Sequence, residues 1–374
     1  MDYTTRMEDA IYNKWSELDN SEEDYSEIID YLNAGDFRNF GDGLSAVILP
    51  KANEGESAID CLKRCCKEKE IDIIKEIASV NTIKSWFFGG ERPKKGEESR
   101  RKMFAISFAL SLTVDETAYL LQKVFLDRAF NPRNPKELIY YYCIEKGYSL
   151  EHANEMISKI NIDNTETEDR TVFTEMLASI TGRVKNDDEL VDYINSHPHN
   201  FSINNIAAKK AVAEYINKAK ACVAKEIESP AYDDIKYGKN TESINFMYET
   251  IIGQSVTGEK GTKTIFKNAE LPKEIKVSFP EAATFSKKEP TYDELRKMLI
   301  VLFSYWFWYN IQANDECADI DDYTGQLNDL LFRTGLPEIY PGNPLDWMFC
   351  YCTLRDYPLD EFRAIIAEVL EMDD

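Results

Sequence analysis

Residues 130–151 read FNPRNPKELIYYYCIEKGYSLE, and residues 339–360 read IYPGNPLDWMFCYCTLRDYPLD. At a constant offset of 209 the identical pairs are Pro132 and Pro341, Asn134 and Asn343, Pro135 and Pro344, Tyr142 and Tyr351, Cys143 and Cys352, Tyr148 and Tyr357, and Leu150 and Leu359. One residue of slippage upstream pairs Leu120, Leu121 and Leu126 with Leu330, Leu331 and Leu336. Further back, Arg101-Lys102-Met103 matches Arg296-Lys297-Met298. In each segment Asn caps a helix that Pro begins, because Pro has no N–H to lose at the first helical position. The aromatic residues that follow pack between helices. This pattern predicts two related helical modules framing a middle segment.

The rest of the chain agrees with a mainly α fold. Its 374 residues suffice for more than one core. Only 16 Gly and 13 Pro are present, which favours helices over a strand-and-turn architecture. Four segments follow: an acidic N-terminal helical segment over 1–56, a helix-turn-helix-like module over 57–160, a middle segment over 161–290, and a second module over 291–374. Residues 1–40 carry Ile11, Trp15, Leu18, Ile28, Ile29 and Leu32 at helical spacings, and the glycines of 41–56 read as a loop. Thr113-Val-Asp-Glu116 is a capping box. Residues 262–266 and 275–279 are candidates for short strands within the less regular middle. Tyr292 to Ile311 is apolar almost all round and predicts a buried central helix.

Residues 71–93 (IDIIKEIASVNTIKSWFFGGERP) read as two short helices about a tight turn, leaving through Gly-x-Arg-Pro. Such a corner places its second helix in a DNA groove. Residues 61–102 hold twelve basic and seven acidic residues, so they carry +5 in a chain of −23. Phosphate contact needs local positive charge, not a basic protein.

With Ser99-Arg-Arg and the helix from Met103 to Leu112, this stretch resembles the Cro/repressor-like (XRE-type) helix-turn-helix family. There a Gly-x-Arg-x-Pro exit follows the recognition helix. The continuation through Thr113–Leu121 and Phe130–Pro135 is similar to larger, uncharacterised helical proteins of anaerobic Gram-positive bacteria. The turn before Ile83 departs from that pattern: it lacks the usual glycine and is a residue or two short. The resemblance implies DNA binding, with Asn81, Thr82, Lys84 and Ser85 at base edges and Arg92, Lys94, Lys95, Arg100 and Arg101 on phosphates. Double-stranded DNA is then the expected partner. The alternative is an acidic protein-interaction scaffold with a vestigial head, meeting a protein partner or a second copy of itself.

Other chemistries find no footing. The eight cysteines form no Cys-x-x-Cys pair and have no histidine nearby, so neither a metal nor another cofactor is expected. His152, His197 and His199 accompany no nucleophile motif, and neither a phosphate loop nor a dinucleotide fingerprint is present, so no enzyme is expected. Asp315, Glu316, Asp319, Asp321 and Asp322 fit no calcium loop. The longest apolar run, Met298 to Tyr309, is about half a membrane span. No apolar core precedes Asn20, and a reduced, cytoplasmic protein is the expectation.

Overall fold

The computed structural model describes residues 28, 32, 39–94, 96–131, 134–161, 180–201, 206–227, 243–253, 275, 279–314 and 317–366. Among these residues the fold is all helix and contains no strand. The candidate strand 262–266, residues 276–278 of the candidate strand 275–279, residues 162–170 of the linker and most of the N-terminal segment lie outside them. The chain divides into two compact units, Arg38–Ile206 and Met1–Phe37 with Ala207–Asp374. The boundaries read at 56/57 and 290/291 therefore fall inside units.

The first unit contains α1 (Phe40–Ile48), α2 (Ala58–Glu68), α3 (Ile73–Glu76), α4 (Val80–Phe88), α5 (Glu97–Ala109), α6 (Val114–Tyr119), α7 (Pro135–Lys146), α8 (Leu150–Ser158) and α9 (Asp187–Ser196). Residues 41–48 are helix rather than the expected loop. Their glycines serve close packing instead of turning the chain. A Cβ on Gly41 would lie 2.2 Å from the Trp86 carbonyl, and one on Gly43 would lie 3.1 Å from Val124. Phe40 meets Trp86 edge-on at 5.6 Å. The capping box forms as expected: Glu116 N–H donates to Thr113 Oγ1, and Thr113 N–H donates to the Glu116 carboxylate.

The second unit contains α10 (Ile206–Glu226), α11 (Ile244–Ile252), α12 (Tyr292–Ala313), α13 (Ile320–Arg333), α14 (Pro344–Thr353) and α15 (Pro358–Ile366). Helix α12 is buried along most of its length and runs through this core, as its all-round apolar sequence predicts. Arg363 donates to Glu226 Oε1 (2.7 Å) and to the Thr250 carbonyl (2.7 Å), tying α15 to α10 and to the end of α11. Thr291 and Glu294 form a second capping box at the start of α12.

The corresponding segments make corresponding bonds. Asn134 and Asn343 both cap, accepting from Lys136 N–H and Leu345 N–H at 3.1 Å each. Each α7/α14 helix then presents a buried carboxylate, Glu137 or Asp346, to a buried arginine from an earlier helix. Arg100 holds Glu137 through two bonds (2.8 and 2.7 Å) and also donates to the Arg128 and Ala129 carbonyls. Arg296 holds Asp346 through two bonds (3.0 and 2.6 Å) and donates to the Pro337 and Glu338 carbonyls. The carboxylates accept again from Asn131 N–H and Tyr340 N–H. Every one of these acceptors and donors downstream of the arginine is offset by 209. Arg296 thus corresponds to Arg100, which corrects by one residue the match of Arg296 with Arg101.

The slippage upstream also has a structural cause. In the second unit Thr334 N–H bonds the Leu330 carbonyl and Leu336 N–H bonds Leu331. In the first, Phe125 N–H bonds Leu120 and Asp127 N–H bonds Leu121. Each loop is one residue larger, because Leu120–Val124 is a π-turn. A π-turn accommodates one inserted residue without breaking the helix. After it, Leu126 (φ 55°) and Gly335 (φ 72°) occupy the same left-handed position, offset by 209, so Leu126 corresponds to Gly335 and its match with Leu336 is corrected.

Candidate nucleic-acid interface

The head is a short corner. Asp72 caps α3 by accepting from Ile74 and Lys75 N–H, and the helix ends after one turn at Glu76. Ser79 then caps α4 by accepting from Thr82 N–H at 3.2 Å. Ile77, Ala78, Ile83 and Trp86 are buried and anchor the corner to the core of the first unit. Asn81, Thr82 and Lys84 are exposed on α4, and Ser85 is half-buried. The Thr82 hydroxyl is within 2.9 Å of Ser79 Oγ, so the cap already engages it.

The expected phosphate-binding residues do not come together. Arg100 is 3% exposed, paired with Glu137 and, at 3.3 Å, with Asp127. It is a packing residue, and its assignment to phosphate is corrected. A guanidinium with two carboxylates and two carbonyls to satisfy has no reason to turn outward. Arg101 reaches Glu76 in an ion pair. Arg92 is half-buried, Lys94 is exposed, and Lys95 lies outside the described residues. Nearby basic residues are neutralised in the same way. Arg64 bonds Glu56 and Glu68, and those bonds hold its guanidinium above its ordinary pKa. Lys102 pairs with Glu98 at 2.8 Å. Glu91, Glu97 and Glu98 are exposed along the exit from α4.

Apolar residues occupy much of the same surface. Val80, Lys84 and Phe88 recur every fourth position and share one face of α4. Phe88 is 80% exposed and Val80 39%, and Ile74 on α3 is 65% exposed.

The remaining candidates are structural. Burial pushes the thiols of Cys66 and Cys143 up to about 12, far from the thiolate that chemistry or a metal requires. Among the described residues, no group of three or more His, Cys, Asp and Glu is placed to hold a metal ion, and no helix is long and apolar enough to cross a membrane. Asp315 and Glu316 lie outside the described residues. His197 stacks on Tyr193 with ring centroids 4.4 Å apart. His152 Nε2 lies 2.7 Å from Asp187, which also accepts from the Tyr142 hydroxyl, so these three side chains join α7, α8 and the start of α9. Sequence reading passed over Asp187, Glu137 and Asp346. The last two had a signal: both segments read Asn-Pro-x-acid.

No family model matches this chain, and no curated protein or solved structure matches it.

Proposed function

We propose that this protein acts by binding another protein, through the outward face of α4. The observation that carries this reading is the fate of charge at the head. Arg100 is buried and Arg101 is paired with Glu76, while Phe88 and Val80 stand exposed beside Lys84. A DNA surface needs several uncompensated cations, because affinity comes from displacing counterions from phosphate. An exposed aromatic with adjacent aliphatic groups is the composition of a protein-contact centre. In addition, α1 lies against the backbone of α4 at Gly41, occupying one side of the helix that would enter a groove.

A second reading, regulatory DNA binding, is favoured by one observation: Asn81, Thr82 and Lys84 are exposed over the first turns of α4. One experiment separates the two. Binding to random-sequence duplex DNA is measured from about 50 to 200 mM salt. The protein-contact reading expects no salt-dependent retention. It also expects Phe88→Asp to remove a partner that Arg92→Glu leaves in place, and Lys84→Glu, at the centre of the same face, to weaken it. Steeply salt-dependent binding that the Lys84 and Arg92 changes abolish would replace it with the DNA reading.

A further inference from the structure

Among the described residues two phenylalanines are exposed, Phe88 at 80% and Phe332 at 64%. Phe88 ends the outward face of α4. Phe332 lies on α13, whose Tyr323, Leu327 and Leu331 are fully buried. On the opposite side of that helix Asp322, Gly325, Asp329 and Phe332 recur at three- and four-residue steps, and all four are exposed. Gly325 is the member of this face that the chain itself does not account for. It sits inside the helix without a left-handed φ, and a Cβ added there would meet nothing within 4 Å. Glycine weakens a helix interior relative to alanine. What bare backbone on an outward face permits is the close approach of another chain.

The faces of α4 and α13 are complementary in charge, order and spacing. Val80, Lys84 and Phe88 follow one another at steps of about 6 Å along α4, and Gly325, Asp329 and Phe332 at about 6 and 4.5 Å along α13. Laid antiparallel, Phe88 falls on the gap at Gly325, Lys84 on Asp329, and Val80 on Phe332. Among the described residues Lys84 and the Asp329 carboxylate have no ion-pair partner, and neither phenylalanine packs on another ring. Arg333 uses its Nε on the Asp329 backbone carbonyl (3.2 Å), and Asp322 is held by Gln326, so Asp329 is the carboxylate left to a partner. Residues 61–102 carry +5, whereas α13 carries −2.

We propose that the partner of the α4 face is a second copy of this chain, which receives it on the outward face of α13. The inference rests on α4 as a protein-contact face and names what meets it. The charge of −23 on each copy opposes association at low salt. At ~0.15 M salt the Debye length is about 8 Å, which screens repulsion between distant charges and leaves the close Lys84–Asp329 pair. Because the two faces differ, the contact is heterologous, and its repetition either closes a ring or grows a chain.

Sedimentation velocity of the full chain over a concentration series, at roughly physiological salt, reads the association. Wild-type protein is expected to sediment faster as concentration rises. Lys84→Glu and Asp329→Lys each bring like charges together and are expected to weaken association roughly tenfold or more. Their equimolar mixture restores opposite charges across the contact and is expected to associate again, as is the double variant. Gly325→Leu is expected to weaken association comparably while melting no lower than the wild type, because leucine favours a helix more than glycine does. A wild type that stays monomeric at every concentration would overturn the proposal, and so would a mixture no more associated than either variant alone. Both results leave α4 as a contact for a different protein. Salt-dependent binding of duplex DNA that Lys84→Glu abolishes would remove that reading too, so the two failures are told apart.

Discussion

The residues that most define the two modules are a buried arginine and the carboxylate it grips. Asp346 is fully buried and Arg296 is 7% exposed. Burial works against the charged arginine, and Asp346 beside it more than offsets this, so its pKa is held above the ordinary value. Removing one partner leaves the other as an uncompensated buried charge, which costs about 3–5 kcal/mol. Asp346→Leu and Arg296→Met should each destabilise on that scale in urea melts. The double variant should cost less than the sum, because no lone charge remains, although the Pro337 and Glu338 carbonyls lose their donor. Additive losses would mean that the pair does not act as a unit. The sequence showed the caps and the buried tyrosines, since Asn-Pro and aromatic residues announce themselves locally. It did not show that Arg100 faces inward. A basic residue in a basic stretch looks like surface until its partner, 37 positions away, is placed beside it.

At the scale of elements, the π-turn after α6 makes a prediction that a simple helix would not. The loops of Leu120–Asp127 are each one residue larger than those of Leu330–Leu336. Deleting the exposed Gln122 should let the first module close its helix with the smaller loops of the second. The fold should survive, with a melting temperature within several degrees of the wild type. Deleting Phe332, where no extra residue exists, should remove the bonds of Thr334 and Leu336 to Leu330 and Leu331 that end the helix, pull the buried Leu336 out of place, and lower the melting temperature well beyond the Gln122 deletion. Comparable losses from the two deletions would contradict the correspondence. The capping boxes carry a pH signature. Burial raises the pKa values of Glu116 and Glu294, but more strongly opposing contacts hold both below the usual carboxylate range: the Thr113 N–H and Lys51 for the first, Lys287 and the Thr291 N–H for the second. A depressed folded-state pKa contributes stability that is present above the unfolded value, about 4.3, and is lost as pH falls through the folded value. Acid titration of stability should therefore be shallower below about pH 4 in Glu116→Gln and Glu294→Gln than in the wild type. The Thr113 box was legible because S/T-x-x-E stands directly before an apolar run. The helix at 40–48 was not legible, because glycine signals a turn equally well as a close helix contact, and Trp86, which decides between them, lies far along the chain.

Across the whole molecule, segments read in chain order do not match the units that fold. Ile28 and Leu32 are buried at 4% and 3% exposure in the core built from residues 208–366, while residues 40–201 form a core of their own. The chain thus leaves one unit, completes another, and returns. Hydrophobic periodicity marks which faces are apolar but not which core each face joins. For that reason the helices were largely predictable and the division into units was not. Each unit has its own apolar interior, so each should melt cooperatively. A fragment of residues 38–206 is expected to be helical and to melt in one transition, matching one of two transitions in calorimetry of the full chain. A fragment of residues 38–374 tests the return of the chain directly. Loss of the buried Ile28 and Leu32 side chains removes about 1.5–3 kcal/mol each from the other unit alone. Its transition should fall while that of 38–206 stays in place. A shift of both transitions together would mean that the two cores are energetically one.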